Sequence, residues 1–167
     1  MQTQTVLMNA LQIEQRINRI AYEIYEDNYD EQEIIIAGIA NSCFVFAKLL
    51  EKVINNICDL KTQLIKLTLD KENPVINVLE PALTRDALKG KVVIVVDDVL
   101  NSGKTLIYAL RPFLEADIKK IRTVLLVNRD HKRYPVEADF VGITLSTTLQ
   151  EHVTVVLETG KEIVYLS

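Results

Sequence analysis

The run Val92–Val96 limits the possible folds of this chain more than any other segment. It consists only of β-branched apolar residues. A strand with one face in water would alternate polar and apolar side chains, so this run predicts a strand that is buried on both faces. The run Ile34–Ile39 has the same apolar character. Strands of this kind belong to parallel sheets that are covered by helices on both sides.

The rest of the chain alternates strand-like and helix-like segments. Apolar residues recur at helical spacing in three segments, which we predict to be helices: Val6–Asn28, Phe44–Asn56 and Gly103–Glu115. Shorter apolar segments predict further strands: Leu64–Leu69, Arg122–Val127, Phe140–Ile143, Val153–Leu157 and Ile163–Leu166. The least regular segment is Asn73–Lys89, which contains two prolines. The alternation predicts an α/β fold with a mostly parallel central sheet flanked by helices.

Composition excludes several other classes of protein. The 167 residues are 49% apolar and 25% charged, which is ordinary for one globular domain and unlike a disordered chain or a coiled coil. A free-standing nucleic-acid binder usually carries an excess of basic residues, whereas the formal net charge of this chain is −4. Cys43 and Cys58 form no CxxC pair, and no secretory signal or membrane-length apolar run is visible. We therefore expect a single cytoplasmic domain over residues 1–167, with no membrane partner.

Two adjacent carboxylates, Asp97 and Asp98, directly follow the Val92–Val96 strand. A short polar loop, Asn101–Thr105, then leads into the predicted helix. Ligands of parallel sheets bind beyond the carboxyl ends of the strands, where these residues should lie. The unpaired N–H groups that open a helix suit a phosphate, whereas carboxylates accept hydrogen bonds from vicinal hydroxyls or bind a hard cation. The combination predicts a sugar-phosphate site.

Two other interpretations of the segment Asp97–Thr105 fit it less well than a sugar-phosphate site. An acidic turn followed by a helix N-cap would explain Asn101 or Ser102, but it would not explain adjacent carboxylates at the end of a buried strand. The sequence Gly103–Thr105 also resembles the end of a nucleotide-triphosphate P-loop. That motif requires a glycine where this chain has Asp98, so the P-loop interpretation fails.

The segment Val93–Thr105 resembles the signature of the type I phosphoribosyltransferases, in which a hydrophobic strand, two acidic residues and a small-residue loop enter a helix. Within this family the chain is most similar to the bifunctional pyrimidine-operon attenuators and uracil phosphoribosyltransferases. The likeness extends to Arg19–Ile24, Leu125–Pro135 and Ala138–Gly142. It implies a type I phosphoribosyltransferase fold with a small C-terminal or hood element.

The resemblance also implies an activity and a set of site residues. Such enzymes use phosphoribosyl diphosphate and Mg²⁺, and they replace the diphosphate with a nucleobase. By this likeness Asp97 and Asp98 hold the ribose hydroxyls and the metal. The resemblance implies four further groups of substrate-binding residues. They are the phosphate loop (Asn101, Ser102, Gly103, Lys104, Thr105), the base-binding segment (Val127, Asn128, Arg129), the diphosphate loop (Ala40, Asn41, Ser42, Cys43) and the end of the second sheet strand (Lys71).

The chain departs from the family pattern at the diphosphate loop. The attenuator branch typically has Lys-Thr-Arg-Gly where this chain has Ala40–Cys43, so the cations are missing. In the base-binding segment Asn128 replaces an aspartate, so the base need not be uracil. These differences leave open a second hypothesis, a nucleotide-binding or phosphoribosyl diphosphate-binding regulatory protein with impaired catalysis. The family's basic residues are largely missing and the N-terminal surface is acidic, so RNA is an unexpected partner. The family likeness implies a homodimer or larger assembly.

Overall fold

A computed structural model describes residues 4–70, 77–146, 148 and 151–167. The strands are β1 (Thr5–Asn9), β2 (Glu33–Ile39), β3 (Lys61–Leu69), β4 (Asn77–Glu80), β5 (Val92–Leu100), β6 (Lys120–Asn128), β7 (Phe140–Thr144), β8 (Val153–Val156) and β9 (Ile163–Leu166). The helices are α1 (Ala10–Asp27), α2 (Ser42–Ile57), α3 (Arg85–Leu88) and α4 (Lys104–Leu114).

Six strands form the central sheet in the order β4-β3-β2-β5-β6-β7. The strands from β3 to β7 in this order are all parallel, and the edge strand β4 is antiparallel to β3. The predicted α/β fold with a mostly parallel sheet is therefore confirmed. The carboxyl ends of β2, β3 and β5 lie side by side, so the segments that follow these three strands meet at one edge of the sheet.

The two apolar runs lie at the centre of this sheet and are buried on both faces. In β2, Ile34 and Ile36 pack into the core beside α1 and α2, while Ile35 and Ala37 pack into the core beside α4. The residues of the run Val92–Val96 divide in the same alternating way. This two-sided burial explains why both runs lack polar residues.

The prediction of a helix over Val6–Asn28 was wrong at its start. Thr5–Asn9 is a strand, and the helix begins at Ala10. Asn9 caps the helix, because its side chain accepts a hydrogen bond from the backbone N–H of Gln12 and the Gln12 side chain accepts one from the Asn9 N–H. This capping box is visible in the sequence as Asn-x-x-Gln and would have located the helix start. The first strand joins β8 and β9 in a separate antiparallel sheet, β1-β9-β8.

Two further boundaries differ from expectation. The strand that contains Val92–Val96 continues to Leu100, so Asp97 and Asp98 are part of β5. The segment Asn73–Lys89, described from residue 77 onward, contains β4 and α3. Within the described part of the chain, no helix combines the length and the apolar character needed to span a membrane.

Candidate active site

A cavity of about 380 Å³ opens at the carboxyl ends of β2, β3 and β5 and at the start of α4. It brings together the predicted diphosphate loop, one residue of the acidic pair and two residues of the predicted phosphate loop. The described lining residues are Ile39, Ala40, Asn41, Ser42, Cys43, Leu69, Asp70, Asp97, Lys104 and Thr105. Among them Lys104 is the only cation, so the cavity wall carries little positive charge.

The acidic pair contacts the start of α2 through side-chain hydrogen bonds. The thiol of Cys43 donates to Asp97 Oδ1 at 3.1 Å, and the hydroxyl of Ser42 donates to Asp98 Oδ2. The backbone N–H groups of Asp98 and Val99 donate to the carboxylates of Asp97 and Asp98, respectively. These contacts join two loops that lie far apart in the chain, and the sequence predicted their proximity only through the sheet topology.

Burial changes the acidity of two groups in this cluster. Asp97 is 5% exposed, and its burial, together with the charge of Asp98, raises the pKa of its carboxyl to about 7. Burial and the two neighbouring carboxylates also raise the pKa of the Cys43 thiol. The thiol therefore stays protonated and acts as a hydrogen-bond donor, although it lies at a helix N-terminus, where a thiolate would be stabilised.

The chemistry of this cluster fits Mg²⁺ only in part. Cys43, Asp97 and Asp98 bring three potential ligand atoms within 4.8 Å of one another. The carboxylates are the hard oxygen ligands that Mg²⁺ prefers, whereas a protonated thiol is a poor ligand for it. In the described part of the chain, no lysine or arginine forms an ion pair with Asp97 or Asp98, so no cation of these residues competes with a metal for the two carboxylates. Asp97 and Asp98 are therefore the residues of this cluster that could hold the metal.

Gly103 is required for the packing of the phosphate loop. Its φ is +82°, and a Cβ placed on it would lie 2.6 Å from a methyl carbon of Val136. The carbonyl of Ser102 accepts hydrogen bonds from the N–H groups of Arg133 and Tyr134, which hold this segment against the loop. The Ser102 hydroxyl accepts a hydrogen bond from the N–H of Lys104 at 3.3 Å. The glycine thus allows the 133–136 segment to approach the loop closely.

The three residues predicted to face a base, Val127, Asn128 and Arg129, lie outside the lining of the cavity. The side chain of Val127 is fully buried in the core. Asn128 accepts a hydrogen bond from the N–H of Asp130, whose φ of +59° corresponds to a backbone position that favours glycine. Arg129 is 6% exposed and donates to the side-chain oxygen of Asn101 at 2.7 Å. None of these residues is among those that line the cavity.

Several other residues predicted for the site also lie outside the lining of the cavity. The lining residues do not include Asp98, Asn101, Ser102 and Gly103, which lie within three positions of a lining residue in the chain. Lys71 lies outside the described residues. The lining residue Asp70 was not predicted as a site residue, although it directly follows β3 and so occupies the position where ligands of parallel sheets bind.

Asn41 has a strained backbone at the wall of the cavity. Its φ is +76° and its ψ is −131°, a combination that only glycine adopts without cost. We expect Asn41→Gly to raise the free energy of unfolding by about 1 kcal/mol, because it relieves this strain. Chemical denaturation of both proteins would measure the change. Asn56→Gly, at an exposed position inside α2, should instead destabilise the protein, and a loss of stability in Asn41→Gly would contradict the strain argument.

Comparison with protein families identifies the class to which this fold and site belong. Residues 4–158 match the phosphoribosyl transferase domain. The chain belongs to the phosphoribosyltransferase family, and its resemblance to the type I enzymes is confirmed.

Curated relatives narrow the resemblance to one branch. The bifunctional protein PyrR of Haemophilus ducreyi is 32% identical over 160 residues, covering 90% of this chain and 88% of the relative. The protein of the same name from Staphylococcus saprophyticus is 33% identical over 163 residues and covers 93% of both chains. These alignments span nearly the whole chain, as the sequence resemblance predicted.

Solved structures show the same fold at lower sequence identity. The hypoxanthine phosphoribosyltransferase of Trypanosoma cruzi superposes with a TM-score of 0.74 at 19% identity, covering 84% of this chain and 81% of the other. A hypoxanthine-guanine phosphoribosyltransferase from Bacillus anthracis gives a TM-score of 0.71 at 22% identity, with coverage of 84% and 81%. The predicted type I fold is therefore confirmed.

Proposed function

We propose that this protein transfers a ribose 5-phosphate group from phosphoribosyl diphosphate to a nucleobase in the cytoplasm. The observation that carries the proposal is the acidic pair at the end of β5, which meets the start of α2 and the start of α4 beside one cavity. Vicinal ribose hydroxyls need hydrogen-bond acceptors, and a phosphate needs the donors of a helix start. The site has both, on two connected segments of the chain.

The proposed reaction breaks the bond between ribose C1 and the diphosphate oxygen and forms a bond between C1 and a base nitrogen. The diphosphate leaves with the bonding electron pair, and the proton of the base nitrogen passes to solvent. Asp97 and Asp98 accept hydrogen bonds from the ribose hydroxyls, and the 101–105 loop holds the 5-phosphate. Mg²⁺, when bound, neutralises the charge of the diphosphate. Catalysis in this scheme is positional and electrostatic, since no residue forms a covalent bond to the substrate.

A second candidate function rests on the composition of the diphosphate loop. The side chains of Ala40–Cys43 carry no positive charge, and Lys104 is the single cation among the described residues that line the cavity. The N–H groups of Ser42 and Cys43 lie in the first turn of α2, where a helix leaves them without intrahelical acceptors. They could bind a diphosphate weakly. This composition supports a regulatory protein that binds nucleotides or phosphoribosyl diphosphate and turns over slowly.

A turnover screen separates these two functions. Phosphoribosyl diphosphate and Mg²⁺ are incubated with uracil, hypoxanthine, guanine, adenine or orotate, and released diphosphate is measured. Release near one per second with any base, a typical enzyme rate, would support the transferase and exclude the regulatory protein. Binding without release would support the regulatory protein. Asp97→Asn combined with Asp98→Asn is the negative control.

RNA binding is the third and weakest candidate. Its only support is the similarity to relatives named bifunctional, because the net charge of this chain is −4. Binding through phosphate contacts would weaken steeply as salt is raised. We expect no such salt-dependent binding, and a steep dependence of RNA affinity on salt concentration would overturn this expectation.

The homodimer implied by the family remains part of the proposal and is testable by analytical ultracentrifugation.

A further inference from the structure

We infer that Arg129 is a positioning residue that turns the amide of Asn101 so that its NH₂ group donates to the phosphate of a sugar phosphate. The inference rests on the proposed function, because it assigns two specific residues to the phosphate end of that site. It gives Arg129 a role other than the base contact that the sequence suggested.

The guanidinium of Arg129 fixes which way the Asn101 amide faces. One of its nitrogens lies 2.7 Å from Asn101 Oδ1. A guanidinium nitrogen can donate but cannot accept, so only the oxygen of the amide can face it. Asn101 is exposed, and its NH₂ group meets no acceptor among the residues that the structure describes. The side chain therefore presents a donor away from Arg129, at the start of the phosphate loop.

The presence of an amide at position 101 is itself informative. If the side chain served only to satisfy the buried Arg129, an aspartate would serve better, since its carboxylate would form a charge-assisted hydrogen bond with the guanidinium. An aspartate would also repel a phosphate, because it carries negative charge and has no donor. Asparagine meets both demands: it accepts from Arg129 and donates to an anion.

Arg129 is itself held in place from the other side. A second guanidinium nitrogen donates to the backbone carbonyls of Thr148 and Glu151, at 3.1 and 2.5 Å. The Glu151 carboxylate accepts hydrogen bonds from the N–H and the hydroxyl of Thr148, so the two residues that accept from Arg129 are also bonded to each other. The arginine thus connects the phosphate loop to the small β1-β9-β8 sheet, and this anchoring keeps the guanidinium directed at Asn101.

Substitution of Asn101 by aspartate separates a positioning role from a purely structural one. Asn101→Asp should bind ribose 5-phosphate at least about tenfold more weakly than the wild type in isothermal titration, because a hydrogen bond to a charged group is lost. Its melting temperature should be unchanged or higher, because Arg129 gains a carboxylate partner. Asn55→Asp is the matched control, since Asn55 also accepts through Oδ1, from Thr62 near the amino end of β3.

Each outcome of this experiment decides the inference. Weaker binding by Asn101→Asp with retained thermal stability, and normal binding by Asn55→Asp, would support it. Equal binding by Asn101→Asp and the wild type, or a lower melting temperature of Asn101→Asp, would overturn the inference and leave the proposed function standing. No binding of ribose 5-phosphate by the wild type would overturn both.

Discussion

Replacing Asp97 by asparagine should stabilise the ligand-free protein at alkaline pH and weaken its binding of a sugar phosphate. The amide has the shape of the carboxyl and can still accept hydrogen bonds from the Cys43 thiol and the Asp98 N–H. It carries no charge, so the cost of burying an ionised group beside Asp98 disappears. Above pH 7, where the carboxyl is ionised, the same change removes a charged acceptor for ribose hydroxyls, which should weaken binding by about tenfold to a hundredfold.

The pH dependence of this stabilisation follows from the raised pKa of Asp97. In the folded protein the carboxyl holds its proton up to a pH of about 7, whereas its ordinary value is 3.8. Below pH 3.8 the carboxyl is protonated in both the folded and the unfolded state, and the protein is most stable with respect to this group. As the pH rises to about 7, the unfolded state releases the proton and the folded state keeps it, so this contribution to the free energy of unfolding is lost. At 1.36 kcal/mol per pKa unit, the wild type should lose about 3 kcal/mol relative to Asp97→Asn between pH 5 and pH 8.

Urea denaturation of both proteins at pH 5 and pH 8, without metal or ligand, measures this difference. Asp59→Asn is the matched control, because it makes the same chemical change at an exposed position outside the site. A constant difference between the wild type and Asp97→Asn across this pH range would show that Asp97 is ionised at an ordinary pH in the folded protein. Burial of Asp97 beside Asp98 would then impose no cost on its ionisation.

Introducing an arginine into the diphosphate loop should strengthen the binding of phosphoribosyl diphosphate. The family resemblance implies an arginine where this chain has Ser42. A charged hydrogen bond to a phosphate contributes about 1.5–3 kcal/mol. Ser42→Arg is therefore expected to raise the affinity by about tenfold to a hundredfold. It would also remove the Ser42 hydroxyl from Asp98, which leaves that carboxylate available to a ribose hydroxyl.

Two controls isolate the effect of the new charge. Ser42→Gln introduces a long side chain and removes the same hydroxyl without adding a cation, so it should give little of the gain. Ribose 5-phosphate lacks the diphosphate, and both variants release the Asp98 carboxylate from Ser42, so its affinity should be the same in Ser42→Arg and Ser42→Gln. If Ser42→Arg and Ser42→Gln bind phosphoribosyl diphosphate equally in isothermal titration, the missing arginine does not explain the composition of this loop.

The sequence predicted those parts of the fold that follow from local patterns. The runs Ile34–Ile39 and Val92–Val96 specified the two central strands, because their apolar residues are continuous and both faces of the sheet are covered. The predicted helix Val6–Asn28 overlaps the strand Thr5–Asn9, because Leu7 and Leu11 also fit helical spacing. Its pairing with β9 depends on residues from the opposite end of the chain, which periodicity does not reveal.

Only the proximity of the loops that form the candidate site could be predicted from the sequence. The sheet topology predicted that the segments after β2 and β5 would meet, and the contacts of Ser42 and Cys43 with the acidic pair agree with this. The hydrogen bond between Arg129 and Asn101 was not predictable, because it joins residues 28 positions apart through side-chain orientations. The strain at Asn41 was also hidden, since asparagine is an ordinary residue at a strand end.

Isothermal titration of the wild type with phosphoribosyl diphosphate and Mg²⁺ measures whether the end of β5 binds a sugar phosphate, with Asp97→Asn/Asp98→Asn as the comparison. We expect measurable binding by the wild type and loss of that binding in the double variant, whose melting temperature should confirm that it is folded. No binding by the wild type, or unchanged binding by the folded double variant, would contradict a sugar-phosphate site at the end of β5.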